Sequence, residues 1–232
     1  MRLPRKRTLA FQAIGRFNEV NSPNVSGPIV VIPTLRAVVH QSLSMVYLSA
    51  GALSVRYSKM RDRLSHTIGI ADGITYLPFL ESIEGSEEEP WPASPPMQQM
   101  VEECFTPGTS PVLLGVGLSG NGHWSTAIES QNNRLLKFDI ACKNSKGSTF
   151  FGSQYRVLSH VQPSSRPNTI EIFLEPEKLP EGFIVPRIEC SVSIGGLEFS
   201  DVERRIRVSP NSELSAIQTH RWCYEISLLV VR

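Results

Sequence analysis

The sequence predicts a mainly β protein, an antiparallel β-sandwich or flattened barrel preceded by a small, partly helical N-terminal segment. Three observations carry this. Apolar residues recur with period two almost continuously from about residue 111 to the end, the spacing that gives a strand one buried and one wet face. Gly, Asn and Pro punctuate those runs at strand-length intervals. An acidic triplet running into four prolines, IEGSEEEPWPASPPM at 83–97, separates this region from a basic N-terminal part.

From the N-terminus, PIVVIP reads as a short strand. In LRAVVHQSLSMVYLSAG, residues Leu35, Val38, Val39, Leu43, Val46, Tyr47 and Ala50 lie near helical spacing and Gly51 stands where a C-cap belongs. A helix is therefore expected over 35–50. ITYLPFLESI fits a strand or a helix. The expected organisation is a basic, partly helical segment at 1–82, an acidic and Pro-rich linker at 83–110, and a β-sandwich domain at 111–232. Pro has no amide hydrogen to give a helix or a central strand, which is why the middle stretch reads as a linker.

Beyond it, Trp124, Thr126 and Ile128 alternate with His123, Ser125 and Glu129, and Leu136, Phe138, Ile140 and Cys142 alternate with Lys137 and Asp139. GVGLSGNG at 115–122, flanked by strand periodicity, reads as a hairpin turn and not as a phosphate cradle. Further strands are expected at Ile170–Leu174 and Ile188–Ile194. Gly195-Gly196 would then turn a tight hairpin into LEFSDVERRIRV, where the apolar parity flips near Ser200-Asp201 as across a β-bulge. RWCYEISLLVV supplies the last strand, and seven or eight strands in all point to stacked antiparallel sheets.

Charge and cysteine usage narrow the function. Residues 1–80 hold ten Lys and Arg against three acids, a net +7 that leaves −6 for the rest of the chain. The basic start MRLPRKR allows contact with nucleic acid, while the overall charge of +1 gives no general attraction to it. Arg16 interrupts the first apolar run, and the window at 38–55 is too polar to span a bilayer, so no signal peptide or membrane segment is expected. Cys104, Cys142, Cys190 and Cys223 are widely spaced with no CxxC, so neither a zinc site nor a redox pair is indicated and a cytoplasmic protein with reduced thiols is expected. No cofactor or metal motif is present.

The candidate polar patch is His123, Ser125 and Asp139. With Ile128 placed opposite Leu136, the hairpin puts Trp124 opposite Ile140, Ser125 opposite Asp139 and His123 diagonal to Asp139. An imidazole oriented by a carboxylate is the arrangement of nucleophilic hydrolases, with Ser125 or Cys104 as nucleophile. The same residues equally make the solvated face of an ordinary hairpin. His220-Arg221-Trp222 reads either as an exposed cationic and aromatic patch or as the point where the last strand enters the core.

PVLLGV and GHWSTAIESQNNRLLKFD, with sixteen residues from His123 to Asp139, resemble the His/Asp hairpin of papain-like, bacteriocin-processing peptidases. That resemblance implies a nucleophilic cysteine at the start of an N-terminal helix. Val38 stands there instead, so Cys104 would have to substitute. A second resemblance covers residues 90–232. WPASPPMQQ, GHWSTAIE, FDIACK, GSQYR and QTHRWCYEI look like a bacterial family, of the kind found in planctomycete genomes, that has no assigned activity. It implies that residues 1–85 are a variable extension, or lie upstream of a true start at Met97. The function expected from these observations is a non-catalytic module that binds a protein or other ligand.

Overall fold

A computed structural model describes residues 45–72, 75–85, 89, 92–105, 110–144, 150–163, 166–174, 187–211 and 218–229; the side chains of 72 and 160–163 are outside it. All the regular structure among these residues is β. Strands β1 (Val46–Ala50), β2 (Leu53–Met60), β3 (Arg63–Asp72) and β4 (Thr75–Ser82) come first, followed by β5 (Met97–Glu103), β6 (Val112–Ser119), β7 (Gly122–Gln131) and β8 (Leu135–Asn144). Then come β9 (Ser153–Val157), β10 (His160–Pro163), β11 (Thr169–Phe173) and β12 (Arg187–Ile194). The series ends with β13 (Gly196–Ser200), β14 (Arg205–Ser209) and β15 (Thr219–Leu229).

Two antiparallel sheets result. One has seven strands in the order β1-β2-β3-β4-β9-β14-β13, the other eight in the order β10-β11-β12-β15-β8-β7-β6-β5. Each turns one row of side chains toward the other: Val55, Ile68, Phe79, Tyr155 and Ile206 meet Ile128, Phe138, Trp222 and Tyr224, all buried. Aromatic rings meet across the two sheets, with Tyr155 edge-on to Tyr224 at 6.1 Å, and within one sheet, with Phe138 stacked on Tyr224 at 4.8 Å. The expected antiparallel sandwich is the observed one.

The N-terminal boundary is not where the composition puts it. Residues 46–50, expected to end a helix, form β1, with Leu48 and Ala50 buried and Tyr47 and Ser49 outside. Period two wins there because strand β2 offers a partner along its whole length, from Val46 opposite Tyr57 to Ala50 opposite Leu53. Gly51, at φ +62°, turns this hairpin and caps no helix. Residues 35–44, PIVVIP and MRLPRKR lie outside the described residues.

Strands β1–β4 join β9, β14 and β13 in one sheet through β4, where Leu80 pairs with Val157 and Ser82 with Tyr155. The four strands are thus a large part of the sandwich, and a chain starting at Met97 would lack them. Nor do the described residues of 83–110 form an open linker. Ser94, Pro95 and Pro96 are buried, the Ser94 hydroxyl donates to Gln154 O and accepts from Gln154 N (3.0 Å each), and β5 follows at once. Residues 92–96 form a strap crossing from Gln154 in one sheet to β5 in the other. A side chain at Gly117 of β6 would strike Pro96 O at 1.9 Å, so glycine is required where the strap passes.

Two turns also differ from expectation. Gly195-Gly196 joins no hairpin: β12 and β13 belong to different sheets, and Gly195 (φ +122°) makes the corner between them. The parity flip near Ser200-Asp201 is a hairpin turn and not a bulge, because Ser200 pairs with Arg205 across residues 201–204 and Arg204 N donates to Asp201 O at 3.2 Å. GVGLSGNG does form a hairpin, with Ser119 paired to Gly122 across Gly120 and Asn121.

Candidate functional site

The candidate patch sits on the outer face of the eight-stranded sheet. Along β7, Trp124, Thr126 and Ile128 point into the core while His123 and Ser125 are exposed, as the alternation requires. The partners are displaced by two residues from the expected register. Asn132 and Asn133 both take φ +52° and Arg134 N closes the turn on Gln131 O at 3.2 Å, a tight turn of the kind that follows right-handed strand twist. Ile128 therefore faces Phe138, Trp124 faces Cys142, Ser125 faces Ala141 and His123 faces Lys143. A displacement of two keeps every side chain on its expected face and changes every neighbour.

That change separates the supposed catalytic groups. Asp139 pairs with Ala127, four residues along the ladder from the His123 level, about 13 Å at the rise of a strand. Its carboxylate is engaged elsewhere: Arg221 Nε donates to Oδ1 at 2.7 Å, and Arg221 Nη2 bonds Oδ2. Cys104 is exposed just beyond Glu103, which lies level with Val112 and Glu129. His123 is six residues from that level, about 20 Å along the strands, and two strands away. The geometry brings His123 and Ser125 together on one face, with Asp139 further along it, and leaves Cys104 at the opposite end. In His220-Arg221-Trp222 only Arg221 is exposed. Trp222 is fully buried with Nε1 donating to Ser153 Oγ at 3.0 Å, so this is where the last strand enters the core.

On β6 the neighbours of His123 and Ser125 are apolar, Leu118 and Val116. At one level across the sheet lie Val101, Leu114, Ala127 and Asp139; at the next Gln99, Val116, Ser125, Ala141 and Arg221; at the third Leu118, His123 and Lys143. Val101 (52% exposed), Val116 (54%) and Leu118 (49%) are thus neighbours on an open face. Gln98 holds this corner in shape. At the β5 bulge its side-chain amide takes the place of a strand residue, donating to Leu118 O and accepting from Leu118 N, 3.2 Å each.

A second polar cluster, not anticipated from the sequence, lies between the sheets. His66 of β3 is buried, stacked on Tyr57 at 4.7 Å, with Nε2 2.9 Å from the Tyr155 hydroxyl. The Tyr155 hydroxyl bonds that of Tyr224, which also bonds Ser153, the acceptor for Trp222. A continuous proton order through the cluster runs from Trp222 to Ser153 to Tyr224 to Tyr155 to His66 Nε2. Burial away from water holds His66 far below its ordinary range, at about 3, so the ring is neutral, and it accepts from Tyr155 in the tautomer that carries its proton on Nδ1. Behind it, His66 N donates to Ser82 Oγ (2.8 Å), and the Ser82 hydroxyl donates to Glu84 Oε1 (2.6 Å). Burial raises the Glu84 carboxyl to about 7, against the lowering effect of the Ser82 hydrogen bond and nearby Arg63. The signal for His66 was available in RLSHTIGIAD, where it shares the buried parity of Ile68 and Ile70.

No family model and no curated protein sequence matches this chain. Among solved structures, a Heparinase III-BT4657 gene product is similar over 82% of this chain and 36% of its own, at 12% identity and a TM-score of 0.43. This chain thus spans little more than a third of that protein's length.

Proposed function

We propose that the sandwich is a non-catalytic binding module that takes a protein partner on the outer face of strands β5–β8. The observation that carries this is the contiguous open patch of Val101, Val116 and Leu118, rimmed by Gln99, Ser125, His123 and Lys143. An apolar centre inside a polar rim is the make-up of protein interfaces, and a flat sheet face suits a protein better than a small molecule, which needs a concave site. Four free cysteines agree with a thiol-reducing cytoplasmic setting. A planctomycete-type family without assigned activity remains the kinship the sequence suggests.

The test is a photo-crosslinking residue at Ser125, compared in the unaltered chain and in a Val116→Glu/Leu118→Glu variant. Both substituted positions are exposed, so the thermal midpoint should hold. Crosslinking to a defined protein should fall by about tenfold or more, the loss of some 1.4 kcal/mol of binding. Equal crosslinking by the variant, or by a probe at exposed Ser58 on the other sheet, would remove this reading.

A further inference from the structure

The polar chain from Trp222 to His66 has acceptor capacity left over. A hydroxyl oxygen can donate one hydrogen bond and accept two. In the order given above, Ser153 accepts from Trp222 and donates to Tyr224, while Tyr224 accepts from Ser153 and donates to Tyr155, so each retains one further acceptor site. Nearby is a hydroxyl with the opposite need. Thr126 of β7 points into the core at 6% exposure, and its Oγ1 has no hydrogen-bond partner among the described residues. Its methyl is turned toward β6, where a side chain at Gly115 would come within 2.6 Å of Cγ2. A buried hydroxyl left dry is costly, which is why such groups in folded proteins nearly always bond to protein or to water. These groups share one cavity. It measures about 10 Å³, and its walls include Thr126, Ser153, Tyr224, Tyr57, His66 and Pro95 of the strap.

We propose that this cavity is a binding site for one water molecule, which accepts a hydrogen bond from the Thr126 hydroxyl and donates to the oxygen of Ser153 or Tyr224. A cavity holds a water once it offers about 10–15 Å³ and two or more polar partners. The volume here meets the lower bound, which admits one molecule and nothing larger. A neutral occupant fits the walls, because no Asp, Glu, Lys or Arg lines the cavity and an ion would lose its hydration without a countercharge. An apolar occupant would leave the Thr126 hydroxyl unpaired. The partners stand on both sheets, Thr126 and Tyr224 on the eight-stranded one and Ser153 on the seven-stranded one. The water therefore carries the polar chain on to β7, the strand whose outward side chains are His123 and Ser125.

Thr126→Val in the full chain tests it, because the two side chains have nearly the same shape and differ in the hydroxyl. With water bound, the substitution removes one of the water's partners, so the urea midpoint should fall, with the unfolding equilibrium shifted about fivefold or more toward the unfolded form and an unchanged m. With a dry cavity, the same substitution removes an unsatisfied hydroxyl and the midpoint should rise. High-resolution diffraction from crystals of the full chain locates the molecule directly. The expected result is density for one water within hydrogen-bond distance of Thr126 Oγ1 and of the Ser153 or Tyr224 oxygen, lost or displaced in the valine variant. A midpoint that stays the same or rises, or a cavity without density in the unaltered chain, would overturn the proposal. Neither measurement involves the outer face of β5–β8, so the outcome is independent of whether a protein binds there.

Discussion

At the scale of single residues, His66 and Glu84 are two ionisable groups joined through Ser82 and shifted in opposite senses by burial. The folded His66 resists protonation down to about 3, against 6.5 when unfolded, so the stability present above 6.5 is lost as pH falls. The folded Glu84 keeps its proton up to about 7, against 4.5 when unfolded, so the stability present below 4.5 is lost as pH rises toward 7. Between about 4.5 and 6.5 the two effects oppose each other, so this pair contributes a plateau there. Glu84→Gln should therefore gain stability relative to the unaltered chain only as pH rises from about 4.5 to 7, read from urea midpoints across pH. A difference between the two profiles that does not change with pH would show that Glu84 does not titrate in this way. Of this cluster the sequence showed only that His66 sits on an apolar parity, because its partners Tyr155 and Tyr224 are 89 and 158 positions away. His123 and Ser125 were legible as outward residues for the converse reason: which face a side chain takes is a property of its own strand.

At the scale of elements, partners were harder to read than strands. The β7–β8 register depends on how many residues Asn132 and Asn133 leave in the turn, and the alternating pattern is equally satisfied by a displacement of two. Gly195 defeated the hairpin reading for a similar reason, since a sheet corner and a tight turn ask for the same residue. The β1–β2 turn makes a test of such positions. A side chain at Gly51 would meet Asn133 O at 2.3 Å, in a backbone conformation that L side chains disfavour. Gly51→Ala should cost about 2–4 kcal/mol in denaturant unfolding, combining backbone strain with the forced separation of two turns. Gly196→Ala, whose nearest atom would be 3.7 Å away, should stay within about 0.5 kcal/mol. Equal costs at the two sites would contradict the packing of the β1–β2 turn on the β7–β8 turn.

At the scale of the whole molecule, composition misleads about where the sandwich begins. Charge changes sign near the acidic, Pro-rich stretch, yet charge describes the surface and says little about which strands share a core. Period two in Val46, Leu48 and Ala50 was masked by the helical spacing those residues also satisfy, and only pairing with β2 decides between the two. The resulting protein has strands from both sides of the strap in each other's core, fastened by the polar chain from His66 to Trp222. Such a molecule should open as one unit. Native-state hydrogen exchange measures this most directly: the slowest amides of β2 and β3 should share one opening free energy with those of β8 and β15, and all should fall together in low urea. Amides of β2 and β3 that exchange through a separate opening, about 3 kcal/mol or more below that of β8 and β15, would contradict the single sandwich on which the account rests.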